Sequence, residues 1–146
     1  MRIATIALAL LTFSSPALAD VTKVTVSNGS RATLTSAYRN ENEVRVYANG
    51  QSSVHASELM RVAVVRIAEM TKTKGLPRFG VTKVSDCGTM KMYNVSVYST
   101  CRLLARMLPE GEAAKPEGKR KITYFRTDDV LAGQMIPEPA SGGTDR

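Results

Sequence analysis

The fold is decided by the stretch SVHASELMRVAVVRIAEMTKTKG, which occupies residues 53–75. At 100° per residue its apolar side chains fall on one continuous face and its charged side chains fall on the other. Gly75 and Pro77 give the helix a clear end. The pattern predicts a long amphipathic helix that needs a sheet or partner helices to cover. Its apolar face comprises Ala56, Leu59, Met60, Ala63, Val64, Ile67 and Met70.

Two valines of this helix, Val62 and Val65, fall on the otherwise charged face. Exposed valines in such a position either cover a loop or the N-terminal hairpin, or they dock a partner. The sequence leaves both interpretations open, and Val62 and Val65 are therefore candidate partner contacts.

Residues 1–19 have the pattern of a secretory signal peptide. Arg2 precedes an apolar run over residues 3–13, and Ala17 and Ala19 occupy the −3 and −1 positions of an A-x-A cleavage site. The apolar run is too short to span a bilayer, and no second run follows. We therefore expect cleavage before Asp20, no transmembrane segment, and a periplasmic or secreted protein.

The charge balance favours anionic partners. Removal of residues 1–19 leaves 19 basic and 13 acidic residues, a net charge of +6. Such an excess suits phospholipid headgroups, lipopolysaccharide or nucleic acid, although a solvated basic surface would also account for it. The length predicts a single domain over residues 20–131, and the composition of residues 132–146 predicts a disordered tail.

Strand-like segments stand on both sides of the helix. Before it, residues 21–38 suit a hairpin and residues 43–47 alternate apolar with charged positions. After it, residues 78–84 suit a strand, residues 90–107 suit one long strand or two with a possible short helix at the end, and residues 121–125 suit a final strand. The prediction is an α+β fold of two layers, with the helix packed across a mostly antiparallel sheet of four to six strands.

Cys87 and Cys101 form an even pair, which in an exported protein predicts a disulfide bond. Closing a loop of this size stabilises a fold by about 3 kcal/mol in the chain-entropy model. The pairing places a hairpin turn near Asn94, or requires a looped-out segment, whereas a turn at residues 87–89 would keep the two cysteines apart. Two buried thiols or a redox role are the alternatives, but the C-x-x-C spacing of thiol-exchange enzymes is absent.

The sequence does not favour an enzyme. His55 is the only histidine, and the familiar hydrolase, metalloprotease and nucleotide-binding motifs are missing. Adjacent carboxylates at Asp128 and Asp129 suit a helix start or a turn better than a cation site. We therefore predict no catalytic residue, no cofactor and no metal site.

Met90 and Met92 support an alternative function. Residues at i and i+2 share one face of a strand, and thioethers select Cu(I), with Cys87 nearby in the sequence. Such a pair can equally fill an irregular edge of the core. The alternative to a binding protein is thus a small thiol or copper-binding periplasmic protein.

Basic residues concentrate late in the chain, beside Tyr124 and Phe125. If the last two strands are neighbours, these residues form one positive surface. Given export, we expect its partner to be an anionic envelope component or an envelope protein and not nucleic acid, although a charged edge strand can also serve to prevent aggregation. The candidate anion-binding residues are Arg102, Arg106, Lys119, Arg120, Lys121 and Arg126.

Residues 56–81, ASELMRVAVVRIAEMTKTKGLPRFGV, resemble a family of small uncharacterised bacterial envelope lipoproteins, in which an alanine-rich helix ending in glycine precedes a Phe-led strand. The resemblance centres on Glu58, Leu59, Gly75, Phe79 and Val81. The chain departs from the family because no lipid-bearing cysteine follows its signal peptide. The resemblance implies an envelope location and no known activity. Together these features predict an exported, non-enzymatic binding or interaction protein for an anionic envelope component.

Overall fold

The computed structural model describes residues 19–26, 28–116 and 118–139, so most of the expected signal peptide lies outside the described residues. Six strands and two helices are present in this part of the chain. The strands are β1 (Asp20–Thr25), β2 (Arg31–Tyr38), β3 (Glu43–Gln51), β4 (Arg78–Met92), β5 (Val95–Leu108) and β6 (Thr123–Arg126). The helices are α1 (Ala56–Thr73) and α2 (Thr127–Leu131).

The strands form one sheet in the order β1-β2-β3-β5-β4-β6, and every neighbouring pair is antiparallel. The α+β class and the antiparallel sheet are therefore as expected from the sequence. The first hairpin turns at Asn28 and Gly29, and Gly29 adopts a φ of 80° that favours glycine. The chain passes from β3 to β4 through α1, and β5 then returns to pair between these two strands. The last strand, β6, follows β5 in the chain but pairs with β4.

Helix α1 has 18 residues and packs on β5, β3 and β4. It begins after His55, because the amide of Val54 donates to the carbonyl of Gln51 (2.9 Å) and holds the preceding residues in a turn. It ends at Thr73, and the predicted stop follows at Gly75, which has a φ of 71°. The Leu76 amide then donates to the Thr71 carbonyl (3.1 Å). The helix is thus shorter than the stretch that predicted it.

The buried side of α1 is broader than the sequence indicates. Val62 lies in the hydrophobic core with 8% of its surface exposed, and Val65 packs against that core, so the structure does not present them as free partner contacts. The next residue, Arg66, donates to Ser36 of β2 (3.0 Å) and pairs with Asp20 of β1 (2.5 Å). This side of α1 therefore faces the first hairpin. Met60, which was expected in the core, is instead exposed.

The hairpin of β4 and β5 is the longest in the sheet. Its turn lies at Tyr93 and Asn94, which both have positive φ values (51° and 64°), as a type I′ turn requires. The turn is therefore where the cysteine pairing predicted it. The alternative turn at residues 87–89 is not formed. Asp86 and Cys87 are a bulge between the pairs Ser85–Arg102 and Gly88–Thr100, and Thr89 is paired with Ser99.

The two faces of the sheet differ in what covers them. The buried pairs Val44–Ala105 and Val46–Leu103 lie on the face that α1 covers. Their neighbours along each strand point the other way. We call this opposite side, which carries Arg102 and its partner Tyr47, the open face.

Residues 109–116 and 118–122 close part of the open face next to β4. Ala114 is buried, and its amide donates to the hydroxyl of Tyr124 (3.2 Å). The Arg78 guanidinium donates to the carbonyl of Glu112. The segment between β5 and β6 thus packs on β4 and β6.

The segment 132–139 also differs from expectation. Its Glu138 amide donates to the carbonyl of Tyr124 (2.8 Å), and its carboxylate pairs with Arg78 (2.6 Å), with only 20% and 12% of the two side chains exposed. A disordered tail was expected from residue 132 onward. Residues 132–139 are instead held by this ion pair, and the rest of the predicted tail, residues 140–146, lies outside the described residues.

Candidate functional site

Cys87 and Cys101 are joined in a disulfide bond. Cys101 is buried on the face that α1 covers, opposite Ala48, and Cys87 packs against the same core from the bulge in β4. The bond therefore fastens the bulge to β5. Neither sulfur is a free thiol. Of the residues predicted for a thiol or copper site, only Met90 and Met92 can therefore offer soft ligand atoms, their thioether sulfurs.

The sequence candidates for acid, base or cation chemistry occupy structural positions. His55 is exposed just before α1 and makes no side-chain capping bond. Asp128 and Asp129 stand in the first turn of α2, where Asp128 pairs with Lys72 of α1 (2.7 Å). Within the described residues, no group of three or more His, Cys, Asp or Glu side chains could hold a metal ion.

Arg126 is neutralised by carboxylates. It pairs with Glu110 (2.7 Å) and lies 3.7 Å from an oxygen of Glu138. The hydrogen bond from Arg126 lowers the pKa of Glu110, and the same bond raises the pKa of Arg126. Arg126, Glu110 and Glu138 line a cavity of about 830 Å³ together with Arg78. In this cavity the charges of the two arginines are largely compensated by those of the two carboxylates. Arg126 is therefore held by carboxylates, and Lys121 lines the same cavity.

Arg102 and Arg106 lie four residues apart on the open face of β5. Between them stands Leu104, which is paired with Arg45 of β3 on one side and with Lys83 of β4 on the other. Cross-strand partners point to the same side of a sheet, and neighbouring strands are about 4.8 Å apart. Four cations therefore surround Leu104, which is only 8% exposed. We call Arg45, Lys83, Arg102 and Arg106 the basic cluster.

The basic cluster is only partly neutralised. Asp86 lies 3.5 Å from Arg102, and Glu43 is the β3 partner of Arg106. Arg45 and Lys83 have no ion-pair partner among the described residues.

An aromatic ring supports the cluster. The Arg102 guanidinium stacks over the Tyr47 ring, 4.9 Å from its centroid, and this contact restrains the guanidinium on the open face.

Two more predicted cations lie beside the cluster. Arg120 and Lys121, together with Lys83, line a shallow groove of about 330 Å³ along the outer edge of β4. Lys119 precedes them and is exposed. The structure thus brings Arg102 and Arg106 together, places Arg120 and Lys121 near Lys83, and pairs Arg126 with Glu110 and Glu138 in the adjoining cavity that Lys121 also lines.

Sequence reasoning missed Arg45 and Lys83. The alternation in residues 43–47 does indicate that Arg45 points away from the core. What it cannot indicate is the strand order, which alone places Arg45 and Lys83 on either side of Leu104.

Comparison with known proteins finds no matching family model, no matching curated protein and no matching solved structure. The resemblance to envelope lipoproteins therefore stays a prediction. Among the residues described, none of the helices has the length and apolar character needed to cross a membrane.

Proposed function

We propose that this chain is an exported, non-enzymatic binding protein whose open sheet face engages an anionic component of the cell envelope. The observation that carries the proposal is the basic cluster around Leu104, in which Arg45 and Lys83 lack carboxylate partners among the described residues. Export rests on the signal-peptide pattern of residues 1–19.

The chemistry of the cluster suits phosphate groups. Guanidinium groups present donors in a planar fork that matches phosphate oxygens, and three of the four members are arginines. Because the Tyr47 ring already restrains Arg102, less side-chain freedom is lost when an anion binds.

The shape of the surface suits an extended partner. The cluster lies across three adjacent strands and continues to Arg120 and Lys121 through the groove at β4. Charges spread over a sheet face can contact several anionic groups at once. A surface bearing many phosphates therefore fits better than a single small ligand.

The test uses residues 20–146 and vesicles that contain phosphatidylglycerol and phosphatidylcholine. Binding is measured by co-sedimentation at about 0.05 M and about 0.5 M salt, because screening weakens contacts between exposed charges. We expect binding at low salt that falls strongly at high salt. Binding that is absent, or that ignores salt, contradicts the proposed function.

Matched variants locate the surface. Arg45→Ser with Lys83→Ser removes two cations of the cluster, whereas Arg61→Ser with Lys72→Ser removes two exposed cations of α1 on the other side of the sheet. At about 1 kcal/mol per basic residue near an anionic surface, the first pair should weaken binding about 25-fold. The second pair should change it little. Equal losses would show that only the net charge matters.

The three consecutive basic residues at positions 119–121 offer a further comparison. Replacement of Lys119, Arg120 and Lys121 by serine should also weaken binding, because two of these residues line the groove with Lys83. Unchanged binding in this variant would remove the groove from the proposed surface.

A further inference from the structure

The hairpin of β4 and β5 extends beyond the other strands. The pairing of β3 with β5 ends at Gln51–Tyr98, and the pairing of β6 with β4 covers only Arg78 to Val81. We call residues 90–97 the hairpin tip. Beyond the pair Met90–Tyr98 lie two residues of β4, three residues of β5 and the turn at Tyr93 and Asn94. At about 3.3 Å per residue this is a projection of roughly 10 Å.

The tip is apolar and exposed. Its exposed apolar residues are Met90, Met92, Tyr93, Val95 and Val97, and Tyr93 at the turn is 96% exposed. Lys91 is the single charged residue from position 87 to position 99, and no carboxylate occurs in that range. An apolar surface of this kind on an exposed projection calls for a partner.

The tip and the basic cluster share one face. Met92 is paired with Val95, and Met90 is paired with Tyr98, so these four side chains lie on the same side of the hairpin. Tyr98 is the partner of Gln51, which lies on the open face. The same two strands therefore carry cations in their body and apolar side chains at their tip.

Resting on the proposed function, we propose that the anionic component is the surface of an anionic lipid bilayer and that the hairpin tip inserts into its interfacial region. The cations of the open face then contact lipid phosphates. The positive charge of the face and the absence of carboxylates at the tip complement such a surface.

The dimensions agree with shallow insertion. Interfacial elements bury their apolar side by about 5–10 Å, which is close to the length of the projection. Tyrosine is favoured at this depth because its ring is apolar and its hydroxyl stays hydrated. The two strands of the tip bond to each other, with one register shift between Met90 and Lys91, so most of their facing backbone groups are already paired.

A tryptophan reporter tests the inference, because the chain contains no tryptophan. Tyr93→Trp should show a blue-shifted emission on addition of vesicles of phosphatidylglycerol and phosphatidylcholine, and quenching when the acyl chains are brominated. The control is Met60→Trp, at an exposed position of α1 on the other side of the sheet. Its emission should not change with either vesicle.

A second pair of changes tests the energetics. Met92→Ser with Val95→Ser replaces two exposed side chains, so melting temperature and far-ultraviolet circular dichroism should stay unchanged. Loss of their burial in the bilayer should weaken vesicle binding roughly tenfold or more. The remaining binding should keep its dependence on salt.

The outcomes separate this inference from the proposed function. Salt-dependent binding of the Tyr93→Trp protein without quenching, or with no effect of the serine pair, overturns tip insertion and leaves the anion-binding function standing. Quenching in the Tyr93→Trp protein that ignores both salt and the Arg45 and Lys83 changes upholds insertion and overturns the anion-binding function. No binding to these vesicles overturns both.

A blue shift that grows with protein concentration in the absence of vesicles would mean that a second copy covers the tip. That result overturns the lipid assignment as well.

Discussion

The ring of Tyr124 lies against Gly80: a Cβ atom at position 80 would come within 3.0 Å of a ring carbon of Tyr124. The same Cβ would come within 2.9 Å of Ile122. The ring has little freedom to move, because its hydroxyl accepts a bond from the Ala114 amide (3.2 Å) and the Arg78 guanidinium lies 5.0 Å from its centroid. Glycine at position 80 thus allows Ile122 and Tyr124 to approach β4 closely.

Gly80→Ala should destabilise the protein. The added methyl group must displace Ile122 or Tyr124, and overpacking of this kind costs about 1–3 kcal/mol. Chemical denaturation of the two proteins measures the difference.

The matched control is Gly88→Ala, at a position in the same strand where an added Cβ meets nothing within 4 Å. We expect it to change the free energy of unfolding little. Equal effects at positions 80 and 88 would exclude the contact with Tyr124 as the cause.

Tyr38→Phe should remove a link between the sheet and the helix. The Tyr38 hydroxyl donates to the carbonyl of Met70 (2.9 Å) in the last turn of α1, while Lys74 lies over the ring, 4.6 Å from its centroid. Phenylalanine keeps the ring and loses the bond, which should lower the free energy of unfolding by about 1 kcal/mol.

The pH dependence of unfolding provides a second readout for Tyr38. Burial raises the pKa of the Tyr38 hydroxyl above 10.0, so its contribution is complete below that pH and is lost as the pH rises through the folded pKa. Tyr38→Phe should unfold with less dependence on pH in this alkaline range. An identical dependence in both proteins would contradict the assignment.

Removal of the disulfide should destabilise the protein by more than Tyr38→Phe does. Replacement of Cys87 and Cys101 by serine releases a cross-link between residues 14 positions apart, worth about 3 kcal/mol, and leaves hydroxyl groups against the core. Thermal unfolding of this variant, and of the wild type with and without reductant, measures the effect. A reduced wild type as stable as the oxidised protein would contradict the prediction.

Glu110 should titrate below its usual range. The hydrogen bond from Arg126 lowers the pKa of this exposed carboxyl from 4.5. The stabilising interaction is therefore present above pH 4.5 and is lost as the pH falls through the lowered folded pKa. Carboxyl carbon chemical shifts measured by NMR follow the titration directly.

Arg126→Gln tests whether Arg126 causes the lowered pKa of Glu110. It should move the pKa of Glu110 back toward 4.5. If Glu110 titrates at the same pH in both proteins, the hydrogen bond from Arg126 is not the cause of the lowered pKa.

Glu138→Gln should loosen the C-terminal segment. Arg78 is largely buried, and its two bonds to the Glu138 carboxylate (2.6 Å and 3.3 Å) compensate its charge. Loss of the carboxylate charge should lower the free energy of unfolding by about 2 kcal/mol. Faster amide exchange at Glu138, whose amide donates to Tyr124, should accompany it.

Local signals predicted much of the fold. Gly75 marks the end of α1 because its positive φ favours glycine, and the turn at Tyr93 and Asn94 follows from the need to bring Cys87 beside Cys101. Both inferences use residues close in sequence, for which backbone geometry restricts the choices.

The remaining features depend on distant contacts. Arg45 and Lys83 flank Leu104 only because β5 lies between β3 and β4. Glu138 orders the C-terminal segment through Arg78, 60 residues earlier in the chain. The pattern of residues 132–139 alone contains no sign of that partner, and the helical periodicity of α1 does not reveal that the first hairpin lies beside Val65.

The hairpin tip contributes none of its residues to the hydrophobic core. The disulfide at Cys87 and Cys101 fastens the strands before the projection begins, and the body of the sheet is complete without residues 90–97. The tip is therefore an exchangeable part. Its sequence can be shortened, substituted or grafted onto another hairpin without changing the residues on which folding depends, so only its contacts at the surface constrain it.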